Sequence, residues 1–235
     1  MYRQITQNLV SFIKKSPSVF HAVHQIESQL QADGFTPLQE GESWSIVPGG
    51  KYYVKRNGSS IIALKVGGEL ADYNFQITAS HCDSPTFKLK ENVELQVAGK
   101  YTQLNTEGYG GMLCAPWLDR PLSVAGRAIV KSGEGYETRL VNVDRDLVLI
   151  PNVAIHMNRG VNDGLKYNNQ IDMIPLFSAG GEQKSGAFKA LIARELDVAV
   201  EDILGLDLYL YNRMAPAIWG AEEELVSCPQ LDDLQ

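Results

Sequence analysis

The sequence predicts an α/β fold with a β-rich module set into it. Three observations carry that expectation. Two stretches of helical periodicity open the chain and lead into a hairpin and a strand. From Lys88 to about Ile150, short β-type runs recur between glycines and Asn/Asp clusters. A last helix and strand then follow. With 235 residues, 44% apolar and 21% charged, the chain can bury one large core or two modest ones.

The elements follow in order. MYRQITQNLVSFIKK places Ile5, Leu9, Phe12 and Ile13 at helical spacing. Polar residues interrupt them, so this is no signal-peptide core. Ser16-Pro17-Ser18 separates two helices, with Ser16 suited to the cap and Pro17 to the first helical position. Val19, Phe20, Val23, Ile26 and Leu30 then share one face, and Gly34 closes the helix. His21 and His24, three apart, suit surface or packing roles better than a metal site of two.

Next the period changes. KYYVKRNGSSIIALKVGG reads as two strands around a turn at Asn57-Gly58, and a strand over Asn74 to Thr78 follows. The β-rich stretch contains FKLKENVELQV, YTQLNTEGY, LSVAGRAIVKS, YETRLVNVD and DLVLIPNVAIHM. Within it Gly108, Gly110 and Gly111 permit backbone turns, Trp117 anchors the module, and Asp119 with Arg120 fixes a loop. GAFKALIARELDV puts Phe188, Leu191, Ile192 and Leu196 on one helical face, and Leu204 to Asn212 reads as a strand.

Composition removes some function classes. A net charge of −7 without a Lys/Arg-rich run disfavours nucleic acid as a partner. No stretch approaches the ~20 apolar residues of a membrane span, so no membrane partner is expected. Cys82, Cys114 and Cys228 show no pairing pattern and fit free thiols in a reducing compartment, which makes a cytoplasmic location the expectation.

The chemistry concentrates in ITASHCDSP. His81 past a strand end is either a packed residue or a ligand. Asp83, two residues on, is either the carboxylate that tunes such a ligand or part of an Asx-type turn with Ser84-Pro85. Crevices at the carboxyl ends of strands are where open α/β sheets bind ligands. Cys82 lies between the two; in extended backbone it faces the other way, so it is expected beneath the site rather than in it. Asp232 and Asp233 form a second candidate: a carboxylate bridging two divalent ions, or a charged chain end. No nucleophile elbow, phosphate-binding loop or H-E-x-x-H helix is present.

HCDSP, GYGGMLCAPWLDRPLSVAGRAIV, LIPNVAIHMNR and MAPAIWGAEEELVSCPQLDDL, preceded by WSIVPGGKYYVKRNGSSIIALKVG, resemble the aspartyl aminopeptidase family of zinc metallo-exopeptidases. The resemblance runs in order through almost the whole chain. It implies an α/β catalytic domain of zinc-exopeptidase type, incomplete here and interrupted by a β-rich dimerisation domain. The expected segments are 1–90 for the first catalytic part, 91–213 for the insert and 214–235 for the start of the second catalytic part.

The resemblance also implies a function: release of N-terminal residues, acidic by the family's name, from peptide substrates by water activated on two Zn²⁺ ions. By motif, His81 matches the first metal ligand and Asp83 the carboxylate that orients it. Asp232 matches the ligand bridging both metals, and His156 matches a histidine reaching from one subunit into its partner's active site. Homodimers and tetrahedral assemblies are the implied partners. The family pattern continues past LDDL with a Glu-Glu pair, an aspartate and a histidine, one glutamate being the general base. None of those motifs occurs in these residues, and Glu222-Glu223-Glu224 precedes the bridging motif. Cys82 stands where threonine is usual. The polypeptide by itself is therefore expected to bind zinc weakly and to leave peptides intact, and a non-catalytic assembly module is the competing reading.

Overall fold

The computed structural model describes residues 2–69, 71–72, 74–180 and 185–231. They form two compact units, one extending to Ser84 and including Leu231, the other Pro85–Gln230. These units are defined by contacts, and their first boundary lies six residues before the division expected after residue 90. One β-strand runs unbroken from Thr86 to Val97, so residues 86–90 belong to the second unit's sheet.

The first unit mixes helix and sheet. Helix α1 (Tyr2–Lys14) and helix α2 (Val19–Ala32) precede strands β1 (Thr36–Leu38), β2 (Lys51–Arg56) and β3 (Ser60–Lys65). The sheet order is β1-β2-β3, with β1 parallel and β3 antiparallel to β2. Helix α2 starts two residues later than expected, because Ser16 Oγ donates to the Phe12 carbonyl at 2.8 Å and belongs to the end of α1. Ser18 takes the cap position with extended backbone. At the other end Phe35 N–H reaches Leu30 O at 2.9 Å and Gly34 N–H reaches Gln31 O at 3.0 Å, the paired bonds of a Schellman motif.

The core of this unit lies between α2 and β2, where Phe20, Ala22 and Val23 are buried, as are Tyr52, Tyr53 and Val54. Tyr53 keeps its hydroxyl satisfied there, accepting from Gln31 Nε2 at 2.8 Å and donating to Glu27 Oε1 at 3.2 Å. The expected hairpin forms between β2 and β3. Asn57 and Gly58 have φ of +54° and +67°, the positive pair of a type I′ turn, and Ser59 N–H closes the turn on Arg56 O at 3.2 Å. The strand expected over residues 74–78 is absent among the described residues, which run irregularly there with Phe75 78% and Ile77 84% exposed. Alternation supplies a strand's pattern but not its ladder partner.

The second unit is built on a six-stranded antiparallel sheet. Its strands are β4 (Thr86–Val97), β5 (Tyr101–Tyr109), β6 (Leu122–Ser132), β7 (Gly135–Asn142), β8 (Leu176–Ser178) and β9 (Ile203–Asn212), in the order β7-β6-β9-β4-β5-β8. A small hairpin of β10 (Ala217–Trp219) and β11 (Leu225–Ser227) follows. Helix α3 (Ala187–Leu196) contributes Phe188, Leu191 and Ile192 to a core shared with Phe87, Leu104, Leu122, Val124, Val130, Leu208 and Leu210. Trp117 packs edge-on to Phe87, ring centroids 5.3 Å apart, and anchors the module.

Glu94 ties helix to sheet. Its two carboxylate oxygens accept from Gly186 N–H at 2.8 Å and Phe188 N–H at 2.6 Å, at the start of α3. A carboxylate there satisfies orphan amides and meets the positive end of the helix dipole. Asp119 takes the expected loop-fixing role, accepting from Asn152 N–H at 3.0 Å. The β-type run ending in Ile155-His156-Met157 stops short as a strand, and those three residues form a 3-10 turn.

Candidate functional site

His81, Cys82 and Asp83 lie at the end of the first unit, where the backbone passes from exposed (74–80) to half-buried (81–85). Nδ1 of His81 is 2.8 Å from the main-chain carbonyl oxygen of Asp83 and 3.4 Å from its carboxylate. A carbonyl can only accept, so the closer contact requires the proton on Nδ1. In the neutral ring the lone pair is then on Nε2, the form in which an imidazole binds a divalent metal. Asp83, expected as the orienting carboxylate, thus approaches Nδ1 with both its main chain and its side chain, the main chain being nearer.

Cys82 is half-buried and bonds elsewhere in the first unit. Its thiol donates to Ser59 O at 3.5 Å in the β2–β3 turn. Burial, and next the Asp83 charge, push the thiol above its ordinary pKa. Side-chain chemistry in the sequence gives no sign of Ser59, because the group that matters is a backbone carbonyl.

His156 sits in the second unit on the exposed turn Ile155–Met157. Val153 (57% exposed) and Met157 (79%) flank it, giving apolar side chains to solvent beside an imidazole. Asp232, the expected bridging ligand, lies outside the described residues, as does Asp233. His21 is held in packing, its Nδ1 2.8 Å from Ser18 Oγ; burial first, then His24, lower its pKa to about 4. Glu222 and Glu224 serve a turn, with Glu222 N–H donating to the Glu224 carboxylate at 2.8 Å. Among the described residues no three His, Cys, Asp or Glu side chains gather closely enough to hold a metal ion. The donor chemistry at His81 fits the place of one zinc ligand.

Comparison with known proteins gives a consistent result. The family described as "Aminopeptidase I zinc metalloprotease (M18)" matches residues 12–235. A protein of Clostridium novyi (strain NT), "Probable M18 family aminopeptidase 2", is 44% identical over 99% of this chain and 55% of its own length. A protein of the same description from Stutzerimonas stutzeri is 37% identical over 100% of this chain and 56% of its own length. The chain spans about half the length of the curated relatives it matches. Among solved structures, "Structure of Chaetomium thermophilum mApe1" aligns with a TM-score of 0.86 and 30% identity, over 95% of this chain and 54% of that one. "Cryo-EM structure of the Ape4 and Nbr1 complex" aligns with a TM-score of 0.89 and 31% identity, over 94% of this chain and 46% of that one.

Proposed function

The chain belongs to the aminopeptidase I zinc metalloprotease (M18) family, and from that premise we propose that it forms part of a zinc-dependent aminopeptidase. In this reading His81 is a ligand of one of two zinc ions, Asp83 holds its ring, Asp232 bridges the pair, and His156 enters the active site of a second copy. The supporting observation is the Nδ1 contact of His81 with an acceptor-only carbonyl, which leaves the metal-binding lone pair on Nε2. Bound zinc would polarise the scissile carbonyl and acidify the attacking water. The chain's own contributions are a fixed imidazole, a carboxylate that increases its basicity, and an exposed loop histidine.

The substrates proposed are peptides with a free N-terminus, acidic residues first. A homodimer, with tetrahedral assembly as its extension, is proposed because His156 lies among exposed Val153, Ile155 and Met157, which association would bury. A second reading, an assembly module without catalysis, is favoured by the second unit having a core of its own. Zinc titration followed through the imidazole resonances separates the two. The aminopeptidase reading expects His81 to respond first, and an unmoved His81 at saturating zinc would overturn it.

A further inference from the structure

A metal ligand at the end of an irregular segment has to be held by something. Residues 74–80 are exposed and outside any ladder, yet His81 makes a defined contact. One link back to regular structure is Cys82, whose S–H reaches the Ser59 carbonyl at 3.5 Å, 23 positions earlier. That carbonyl belongs to a hydrogen-bonded turn, which Ser59 N–H closes on Arg56 O at 3.2 Å.

We propose that Cys82 is a positioning residue, whose thiol fastens the His81–Asp83 triplet to the β2–β3 turn and so presents the Asp83 carbonyl to His81 Nδ1. Cys82 lies between the ring and its acceptor in the chain, so a side chain held at Ser59 restrains the backbone dihedrals on either side of it, through which Asp83 is brought to His81 Nδ1. Without that bond those dihedrals have more room to turn. A thiol is a weak donor in water, but here it is half-buried, where the bond meets less competition. A hydroxyl at this position can make the same bond; an alkyl group cannot. The consequence at the metal rests on the proposed zinc site, whereas the positioning is a property of the chain without metal.

The test reads the four histidines of the 235-residue chain by long-range ¹H–¹⁵N correlation at mildly alkaline pH, without metal. In the unsubstituted chain His81 is expected as the Nδ1–H tautomer. Cys82→Ala is expected to give a mixed-tautomer signal and Cys82→Ser to retain the original one. On adding Zn²⁺, the His81 response of Cys82→Ala should need about tenfold more metal, the lower end of the range for supporting residues, and that of Cys82→Ser no more than about twofold. Should Cys82→Ala fail to fold, Cys82→Val fills the space without a donor. An unchanged tautomer in the alkyl variants would overturn the proposal. So would equal disturbance in Cys82→Ser, which would assign the effect to packing. If zinc leaves His81 of the unsubstituted chain unmoved while Cys82→Ala still mixes the tautomers, the zinc reading fails and the positioning stands.

Discussion

Gly126 of β6 runs so close to Asp207 of β9 that a Cβ added to it would stand 2.1 Å from the Asp207 carbonyl oxygen. The next nearest atoms are also main chain, so no side chain can yield to make room. The two strands must separate locally where the sheet is longest paired. Gly126→Ala should therefore destabilise the second unit by about 3 kcal/mol or more, the upper part of the overpacking range. A thermal melt by circular dichroism should show it as a drop of roughly 10 °C. An unchanged melting temperature would mean the strands part freely.

Glu94→Ala removes both acceptors from the start of α3 and should cost about 1–2 kcal/mol. Glu94→Gln keeps one acceptor oxygen without the charge and should fall between. Urea unfolding monitored in the far ultraviolet measures the difference, and equal midpoints for all three chains would refute the cap.

His81→Ala should abolish zinc binding at the proposed site. Asp83→Asn keeps the main-chain carbonyl that is nearest to Nδ1, so it should weaken binding only about tenfold. Calorimetric titration distinguishes them. An Asp83→Asn chain as inert as His81→Ala would assign the ring's orientation to the carboxylate instead.

His21 gives the first unit a pH dependence of known sign. Its pKa is lowered to about 4 by burial, then by His24, against an ordinary value of 6.5. Between those values the unfolded chain takes up a proton that the folded one refuses, so stability falls as pH drops from 6.5 toward 4. The loss is on the order of 2–3 kcal/mol. His21→Gln should flatten that part of the stability curve relative to the unsubstituted chain, while carboxylate titration remains common to both. Parallel curves would show that His21 is as accessible to protons folded as unfolded.

The 235 residues expressed by themselves should release no N-terminal residue from peptides. By resemblance they supply two ligands, whereas a catalytic zinc ion takes three from protein. Chelator-sensitive release by the purified chain would contradict this.

Part of this architecture is legible in the sequence because its cause is local. Asn57-Gly58 dictates its own turn, and Gly34 its own helix end. The α3 face is legible through Phe188, Leu191 and Ile192. Other features depend on distant partners. Ser16 and Ser18 are equally good caps on paper, and the Phe12 carbonyl decides which one is used. Residues 74–78 alternate like a strand, but alternation cannot supply a neighbour. At the candidate site His81 and Asp83 could be picked out by type and spacing. The nearer contact, to a backbone carbonyl, and the Ser59 anchor could not, since neither is written in side chains.

The strand order of the second unit has a consequence during synthesis. Strand β9 is the last of the six to leave the ribosome, yet it fills the slot between β6 and β4. Until Asn212 has emerged, the β4–β5 and β6–β7 hairpins are two half-sheets, each presenting an open edge toward the missing centre. The nascent chain must carry those edges across roughly 70 residues of translation, a span of several seconds. The strand order therefore places the module's greatest risk of mispairing before β9 arrives.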